Sequence, residues 1–97
     1  MGTYIVLGNF TDQGIRGVKD TRKRAEAFKG MAQKVGVKVK ELYWTLGQYD
    51  IVTIIEAPDE QTATALGLSA GSLGNIRTQT LRAFGSEEIG SILAKIT

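Results

Sequence analysis

Two short segments of this chain are apolar on both alternating faces, and this pattern strongly limits the possible fold. The segments are residues 4–7, Tyr-Ile-Val-Leu, and residues 51–55, Ile-Val-Thr-Ile-Ile. Successive side chains of a β-strand point to opposite faces, so a strand with one face in water alternates apolar and polar residues. Because these segments do not alternate, we expect the sheet that contains them to be covered on both faces.

Hydrophobic periodicity along the chain predicts the element order β-α-β-β-α-β, followed by a short final helix. In the first helix, apolar residues recur at spacings of three and four from Ile15 to Val35, with a break near Asp20 and an end at Gly36. The Gly47-Gln48 pair between the second and third strands predicts a tight hairpin. The predicted strands cover residues 3–10, 37–46, 49–57 and 76–84, and the later helices begin near residues 58 and 86.

This order favours an α+β, ferredoxin-like fold of a single domain, residues 1–97, with an antiparallel four-stranded sheet. Right-handed crossovers place both crossover helices on one face of the sheet and leave the other face bare. The apolar area of such a bare face would be larger than the few hundred Å², roughly, that soluble single chains usually expose in one patch. We therefore expect a second copy to cover it, giving a homodimer or larger homo-oligomer of the dimeric α+β barrel type. The alternative is that the final helix folds back over this face, and in either case we expect its apolar residues to point inward: Ile89, Ile92, Leu93 and Ile96.

Composition excludes several kinds of chemistry, because the 97 residues include no cysteine and no histidine. Disulfides, thiolate nucleophiles, histidine bases and most zinc, copper and haem sites are thereby excluded. We expect no cofactor and no metal, so any catalysis must use carboxylates, tyrosines, arginines, lysines or hydroxyls. No apolar stretch approaches the roughly 18–20 residues of a membrane span, and no secretory signal precedes the first strand. We therefore expect a cytoplasmic protein with no membrane partner.

Two other features, the basic residues of the first helix and the glycine-rich residues 67–74, are better explained by structural roles than by ligand binding. The formal charge is only +2, and the basic residues of the first helix indicate a solvated face rather than a nucleic-acid surface. The third strand also lacks the basic-glycine-aromatic pattern of RNA-recognition motifs. The glycine-rich residues 67–74 follow a helix instead of opening one, and no Gly-Lys-Ser/Thr is present. They predict a helix end rather than a phosphate loop.

The segment Leu46-Gly47-Gln48-Tyr49-Asp50, preceded by Tyr43-Trp44-Thr45, resembles the signature of the GYD-domain family. Similar segments at residues 4–7, 57–59, 74–78 and 81–84 extend the resemblance over nearly the whole chain. The resemblance implies a dimeric α+β barrel. The wider superfamily includes cofactor-free monooxygenases, dehydratases, haem enzymes and ligand-sensing modules, and a shared fold does not transfer their reactions.

Most of the candidate site residues lie in or beside the signature segment and in the fourth strand. If the protein is an enzyme, Asp50 or Glu56 is the candidate acid or base, and Arg77 or Arg82 is the candidate charge stabiliser. The candidate ligand-binding residues are Tyr43, Trp44, Gln48, Tyr49, Gln79 and Thr80. Turn formation alone also explains Gly47 and Asp50. On the fourth strand Arg77 and Arg82 have opposite parity, so only one of them can face a barrel interior; salt bridges with Glu41 or Glu56 are the alternative role.

Two functions are consistent with this pattern. The first is a homo-oligomeric barrel that binds a small organic molecule, with or without cofactor-independent catalysis. The second is a non-catalytic assembly or sensory module whose sheet face is consumed by packing. The volume of the cavity between the paired sheets distinguishes them, since ligand pockets have volumes of about 300 Å³ or more.

Overall fold

The computed structural model describes residues 1–97 and confirms the predicted order of elements. The strands are β1 (Gly2–Phe10), β2 (Lys38–Trp44), β3 (Ile51–Ala57) and β4 (Ile76–Ala83). The helices are α1 (Asp12–Arg16), α2 (Thr21–Lys34), α3 (Glu60–Ser72) and α4 (Ser86–Leu93), with a 3-10 turn at Val18–Asp20.

The four strands form one sheet in the order β2-β3-β1-β4, and each neighbouring pair is antiparallel. This arrangement confirms the α+β, ferredoxin-like fold. The two strands that are apolar on both faces, β1 and β3, are the central pair. Their central position pairs both edges of each strand with a neighbour but covers neither face, so the apolar side chains opposite the helices still require a cover.

Helices α2 and α3 cover one face of the sheet and form the core with it. Burial in β1 and β3 alternates, and Tyr4, Val6, Ile55 and Ala57 point toward the helices. The rest of the core comes from α2, α3 and the residue before β2: Ala32, Ala63, Leu66 and Val37. Small alanine side chains allow the helices to approach the sheet closely.

The predicted break in the first helical segment is confirmed. Helix α1 ends at Arg16, the 3-10 turn follows, and α2 begins at Thr21. Gly36 has a φ of +76°, which is the left-handed conformation expected of a glycine at a helix end.

The predicted tight hairpin between β2 and β3 is wrong, because residues 45–50 form a longer connection. A two-residue type I′ turn needs positive φ at both central residues, whereas Gly47, at +105°, is the only residue of this connection with a positive φ. The connection satisfies its polar groups through contacts with β1 instead.

Helix α4 does not fold back over the sheet. Apart from an ion pair between Arg82 of β4 and Glu88, it makes little contact with the other helices and strands, and the molecule measures 51 × 31 × 18 Å. The prediction that the apolar residues of this segment point inward is wrong for the single chain, because their exposed fractions range from 39% for Ile92 to 69% for Ile96. None of the helices has the length and hydropathy needed to cross a bilayer.

Candidate functional site

The sheet face opposite α2 and α3, here called the open face, carries a row of apolar side chains. In the register of the sheet, Ile5 lies between Ile54 and Leu81, and Leu7 lies beside Val52. Four of these residues are half-buried by their neighbours alone, and Leu81 is 40% exposed. No element of the chain covers the row, which agrees with the bare face expected from the crossovers.

The signature residues lie in the connection between β2 and β3, here called the signature loop (residues 45–50), which is fastened to the end of β1. The Asn9 side-chain amide donates to the carbonyl oxygen of Gln48 at 2.7 Å. The Asp50 backbone N–H donates to the carbonyl oxygen of Gly8 at 2.9 Å, and the Thr45 N–H donates to that of Asp50 at 2.9 Å. The Thr45 hydroxyl donates to the carbonyl oxygen of Tyr49 at 2.6 Å. These bonds continue the antiparallel ladder to the residue before β3 and hold the loop in one conformation.

Asp50 uses its carboxylate to hold this connection. Its Oδ2 accepts a hydrogen bond of 2.9 Å from the backbone N–H of Phe10, the last residue of β1. Phe10 and Asp50 are half-buried. The carboxylate therefore has a structural contact that accounts for its presence.

We expect Asp50→Ala to lower the free energy of unfolding by about 1–3 kcal/mol, because the Phe10 N–H loses its acceptor in a partly buried position. Asp50→Asn keeps an acceptor oxygen and should cost less. Urea unfolding at fixed protein concentration measures both. Asp20→Ala is the control, since Asp20 is exposed and its side chain makes no cap hydrogen bond. If Asp50→Ala unfolds at the same urea concentration as Asp20→Ala, the structural role is wrong.

At the β4 side of the open face, Tyr49 meets Gln79. The Tyr49 hydroxyl donates to Oε1 of Gln79 at 3.3 Å, which links the signature loop to β4 across the end of β1. Arg77, two residues earlier in β4, has the same parity as Gln79 and is exposed. Tyr49, Gln79 and Arg77 therefore form a polar group at one end of the apolar row.

The β2 side of the open face carries charged and phenolic groups. Lys40 and Glu56 form an ion pair at 3.0 Å, and the Tyr43 hydroxyl donates to Glu41 Oε2 at 3.1 Å. The hydrogen bond from the Lys40 ammonium lowers the pKa of Glu56, and the charge of Lys40 adds to that effect. The hydrogen bond to the Glu41 carboxylate raises the pKa of Tyr43. Glu56 is thus a paired anion, but its partner is Lys40 and not Arg77 or Arg82, the arginines expected in the salt-bridge alternative.

Three of the predicted site residues lie on the helix-covered side of the sheet. The Trp44 indole N–H donates to the Thr21 hydroxyl of α2 at 2.9 Å. Thr80 lies beside Gly67 of α3. Arg82 pairs with Tyr4 in the register and places its guanidinium 4.6 Å from the centre of the Phe84 ring and 5.5 Å from that of Tyr4.

Arg82 also connects the sheet to α4. Its guanidinium donates to Oε2 of Glu88 at 2.7 Å and to the carbonyl oxygen of Thr3 at 3.3 Å. The hydrogen bond from Arg82 lowers the pKa of Glu88, and that to Glu88 raises the pKa of Arg82. Arg82 therefore stabilises the start of α4 and is turned away from the open face.

The lowered pKa of Glu88 predicts a pH dependence for this contact. A carboxyl group with a lowered folded-state pKa stabilises the fold above its ordinary value of about 4.3, and this contribution is lost as the pH falls through the lowered value. We expect Arg82→Leu to raise the midpoint of Glu88 toward the ordinary value, as followed by NMR of the carboxyl carbon. Arg77→Leu is the control and should leave it unchanged. An unchanged midpoint in Arg82→Leu contradicts the assigned cause.

The predicted catalytic groups do not converge on one place. Asp50 lies at the end of β1, Glu56 is paired with Lys40, and Arg77 and Arg82 lie on opposite faces of the sheet. No three acidic side chains come together in a manner that suits a metal ion. The sequence analysis missed Asn9, which fastens the signature loop; its signal was a polar residue that interrupts the apolar parity of Ile5 and Leu7.

Comparison with known proteins finds a relative that aligns over most of both chains. A protein of Thermus thermophilus, named glutamine synthetase and cystathionine beta-lyase binding protein, is 37% identical over 84 residues. The alignment covers 86% of this chain and 88% of that protein.

Solved structures show the same fold. The crystal structure of TTHA0845 from Thermus thermophilus superposes with a TM-score of 0.58 at 25% identity, over 89% of this chain and 96% of that one. MtbAldR (Rv2779c) superposes with a TM-score of 0.60 at 10% identity, over 88% of this chain and 52% of that one, which is a likeness of fold alone. The GYD domain family matches residues 4–93, and the chain therefore belongs to the GYD domain family.

Proposed function

We propose that this protein is a non-catalytic binding module that assembles from two or more copies through the open face and binds other proteins. The observation that carries the proposal is the uncovered apolar row across β3, β1 and β4. Covering this row gains hydrophobic free energy at about 25 cal/mol per Å² of apolar surface removed from water. We propose a second copy as the cover, because the commonest soluble oligomer is a twofold dimer in which the same surface of both chains meets.

The surroundings of the row suit a protein interface. Stable interfaces have an apolar centre and a polar rim. Here Lys40, Glu41 and Glu56 lie on the β2 side, and Arg77 and Gln79 lie at the opposite end. Helix α4 offers a second uncovered apolar surface, so an assembly larger than a dimer has a further surface to use.

A non-catalytic role agrees with the contacts of the candidate acid-base groups. A general acid or base must reach the reacting group, whereas the Asp50 carboxylate accepts from Phe10 and Glu56 is paired with Lys40. The candidate charge stabilisers cannot act together, because Arg77 and Arg82 lie on opposite faces of the sheet.

Binding of other proteins is supported by the name of the 37% identical relative, a glutamine synthetase and cystathionine beta-lyase binding protein. We propose that this chain likewise binds a metabolic enzyme, with glutamine synthetase as the first candidate. The cytoplasm is the compartment that this partner implies.

Native mass spectrometry and a binding titration test the proposal. We expect a species of at least twice the 10.5 kDa chain mass at micromolar concentration, and saturable binding to purified glutamine synthetase from the same organism. Bovine serum albumin is the negative control for binding. A folded 10.5 kDa species at that concentration contradicts the assembly, and absence of binding to glutamine synthetase contradicts the proposed partner.

A small organic ligand between two paired sheets is the second candidate. It is favoured by the position of Tyr43, Tyr49 and Gln79, which border the open face with phenol and amide groups. A structure of the assembled particle separates the two functions. An interior cavity of about 300 Å³ or more with these groups on its wall favours a ligand, and a closed interior favours assembly alone.

A further inference from the structure

A partly enclosed cavity of about 120 Å³ lies on the helix-covered side of the sheet, away from the open face. It is bounded by α2, the C-terminal end of α3 and the strands of the sheet, and most of its lining is hydrocarbon. The cavity remains open because small residues face it from both helices, Ala25 in α2 and Ala70 in α3. Larger side chains at these positions would fill the space.

The floor of the cavity carries a hydroxyl that has no partner. Thr53 in β3 is 4% exposed, and its side chain takes part in none of the hydrogen bonds of the chain. Every fully enclosed side-chain nitrogen or oxygen atom in this protein has a hydrogen-bond partner. The Thr53 hydroxyl must therefore keep some accessible surface, and the space that it borders is the cavity. In the free protein this hydroxyl can pair only with water in the cavity, and a ligand hydroxyl that bonds to it replaces that water in apolar surroundings.

The volume of the cavity limits the size of a ligand. A dry apolar cavity of about 150 Å³ holds a benzene molecule. The space here is slightly smaller but only partly enclosed, so a single ring fits with part of it in the opening. The Phe28 ring and the Met31 thioether lie on its wall and favour an aromatic ring, since sulfur and ring edges both attract aromatic groups.

We propose that this cavity is a binding site for a small phenolic molecule, a single ring with one hydroxyl that hydrogen-bonds to Thr53. The ring occupies the hydrocarbon space between α2 and the sheet, and the ligand hydroxyl pairs with the unpartnered Thr53 hydroxyl on the floor. The site lies on the other side of the sheet from the open face, so it does not depend on assembly or on a protein partner.

The two methionines of the chain give a direct measurement. Met31 lines the cavity, whereas Met1 is 74% exposed at the N-terminus. In a titration of methyl-labelled protein with phenol, we expect the Met31 methyl signal to shift in a saturable manner and the Met1 signal to stay in place. An unmoved Met31 signal at millimolar phenol, or equal movement of both signals, overturns the proposal.

Two variants locate the ligand. We expect Ala70→Leu to fill the cavity and abolish the Met31 shift, whereas Ala65→Leu, on the exposed side of α3, should keep it. A retained shift in Ala70→Leu places the ligand elsewhere and overturns the site. Circular dichroism of each variant confirms that it is folded before the titration, and Ala25→Leu fills the same cavity from α2 if Ala70→Leu does not fold.

Thr53→Val tests the hydroxyl contact, because valine has nearly the same shape without the polar group. A hydrogen bond of ordinary strength predicts that the Kd for phenol rises about threefold to tenfold, while the Kd for benzene stays unchanged. Thr64→Val, at an exposed position of α3, should change neither. If Thr53→Val leaves phenol binding unchanged, or weakens benzene binding as much as phenol binding, the assigned ligand class is wrong.

Discussion

Replacing Ile5 by lysine is expected to split the proposed assembly into folded single chains. Ile5 lies in the middle of the open face, between Ile54 and Leu81 in the register of the sheet. Pairing of two open faces would bury the new ammonium group of each chain among hydrocarbon, and an uncompensated buried charge costs about 3–5 kcal/mol. The dissociation constant of the assembly should therefore rise by a factor of about 100 or more. In the single chain the lysine head reaches water from the same position, so the fold should survive.

Sedimentation velocity over a range of concentrations measures the change in assembly. Leu68→Lys is the matched control, because Leu68 lies on α3, on the other side of the molecule, and is already 71% exposed. It introduces the same charge and should leave the mass unchanged. If Ile5→Lys assembles as well as Leu68→Lys does, the open face is not the surface through which copies pair.

Gly14→Ala is expected to destabilise the fold of each chain by about 3 kcal/mol or more, through a collision with the backbone. Gly14 is buried in α1, and a Cβ atom there would lie 1.9 Å from the carbonyl oxygen of Asn75. That oxygen also accepts the hydrogen bond from the Thr11 N–H at 3.1 Å, and the Thr11 hydroxyl donates to the carbonyl oxygen of Gly74 at 2.6 Å. Helix α1 must therefore move and lose the contacts that hold it to the start of β4.

Replacing Gly30 by alanine should have the opposite effect on the free energy of unfolding. Gly30 lies in the exposed middle of α2, and no atom outside the local helix backbone lies within 4 Å of the Cβ position. Alanine there is expected to raise the free energy of unfolding by about 0.5–1 kcal/mol, because it restricts the unfolded chain and favours the helix. Thermal or urea unfolding of the two variants under one set of conditions compares them. A Gly14→Ala variant as stable as the parent protein would show that α1 does not pack against Asn75 as described.

The fold could be predicted from the sequence because it depends on local periodicity. Apolar spacing of three and four identifies α2 and α3, and the two-sided apolar strands identify the central pair β1 and β3. Helix ends followed from single residues such as Gly36, whose conformation is rare for other amino acids. These features depend on residues that are close in sequence, so they can be identified without knowledge of the tertiary structure.

The candidate site could be predicted only in part, because its contacts join residues distant in sequence. The Asp50 carboxylate bonds to the backbone of Phe10, forty positions away, and no local pattern reveals that contact. Arg82 was expected to be available as a charge stabiliser, yet it stacks on Phe84 and pairs with Glu88. Parity correctly separated Arg77 from Arg82, but it could not say which of them faces the helices, since that depends on the register with β1.

What the sequence alone determined is the order of the elements, their amphipathic faces and the demand for a cover over the bare side of the sheet. What only the tertiary structure decided is which polar groups meet, where α4 lies and where an internal cavity remains. Periodicity assigns each side chain to a face, but the strand register and the path of the signature loop assign its neighbours. Those depend on packing over distances that no local pattern in the sequence records.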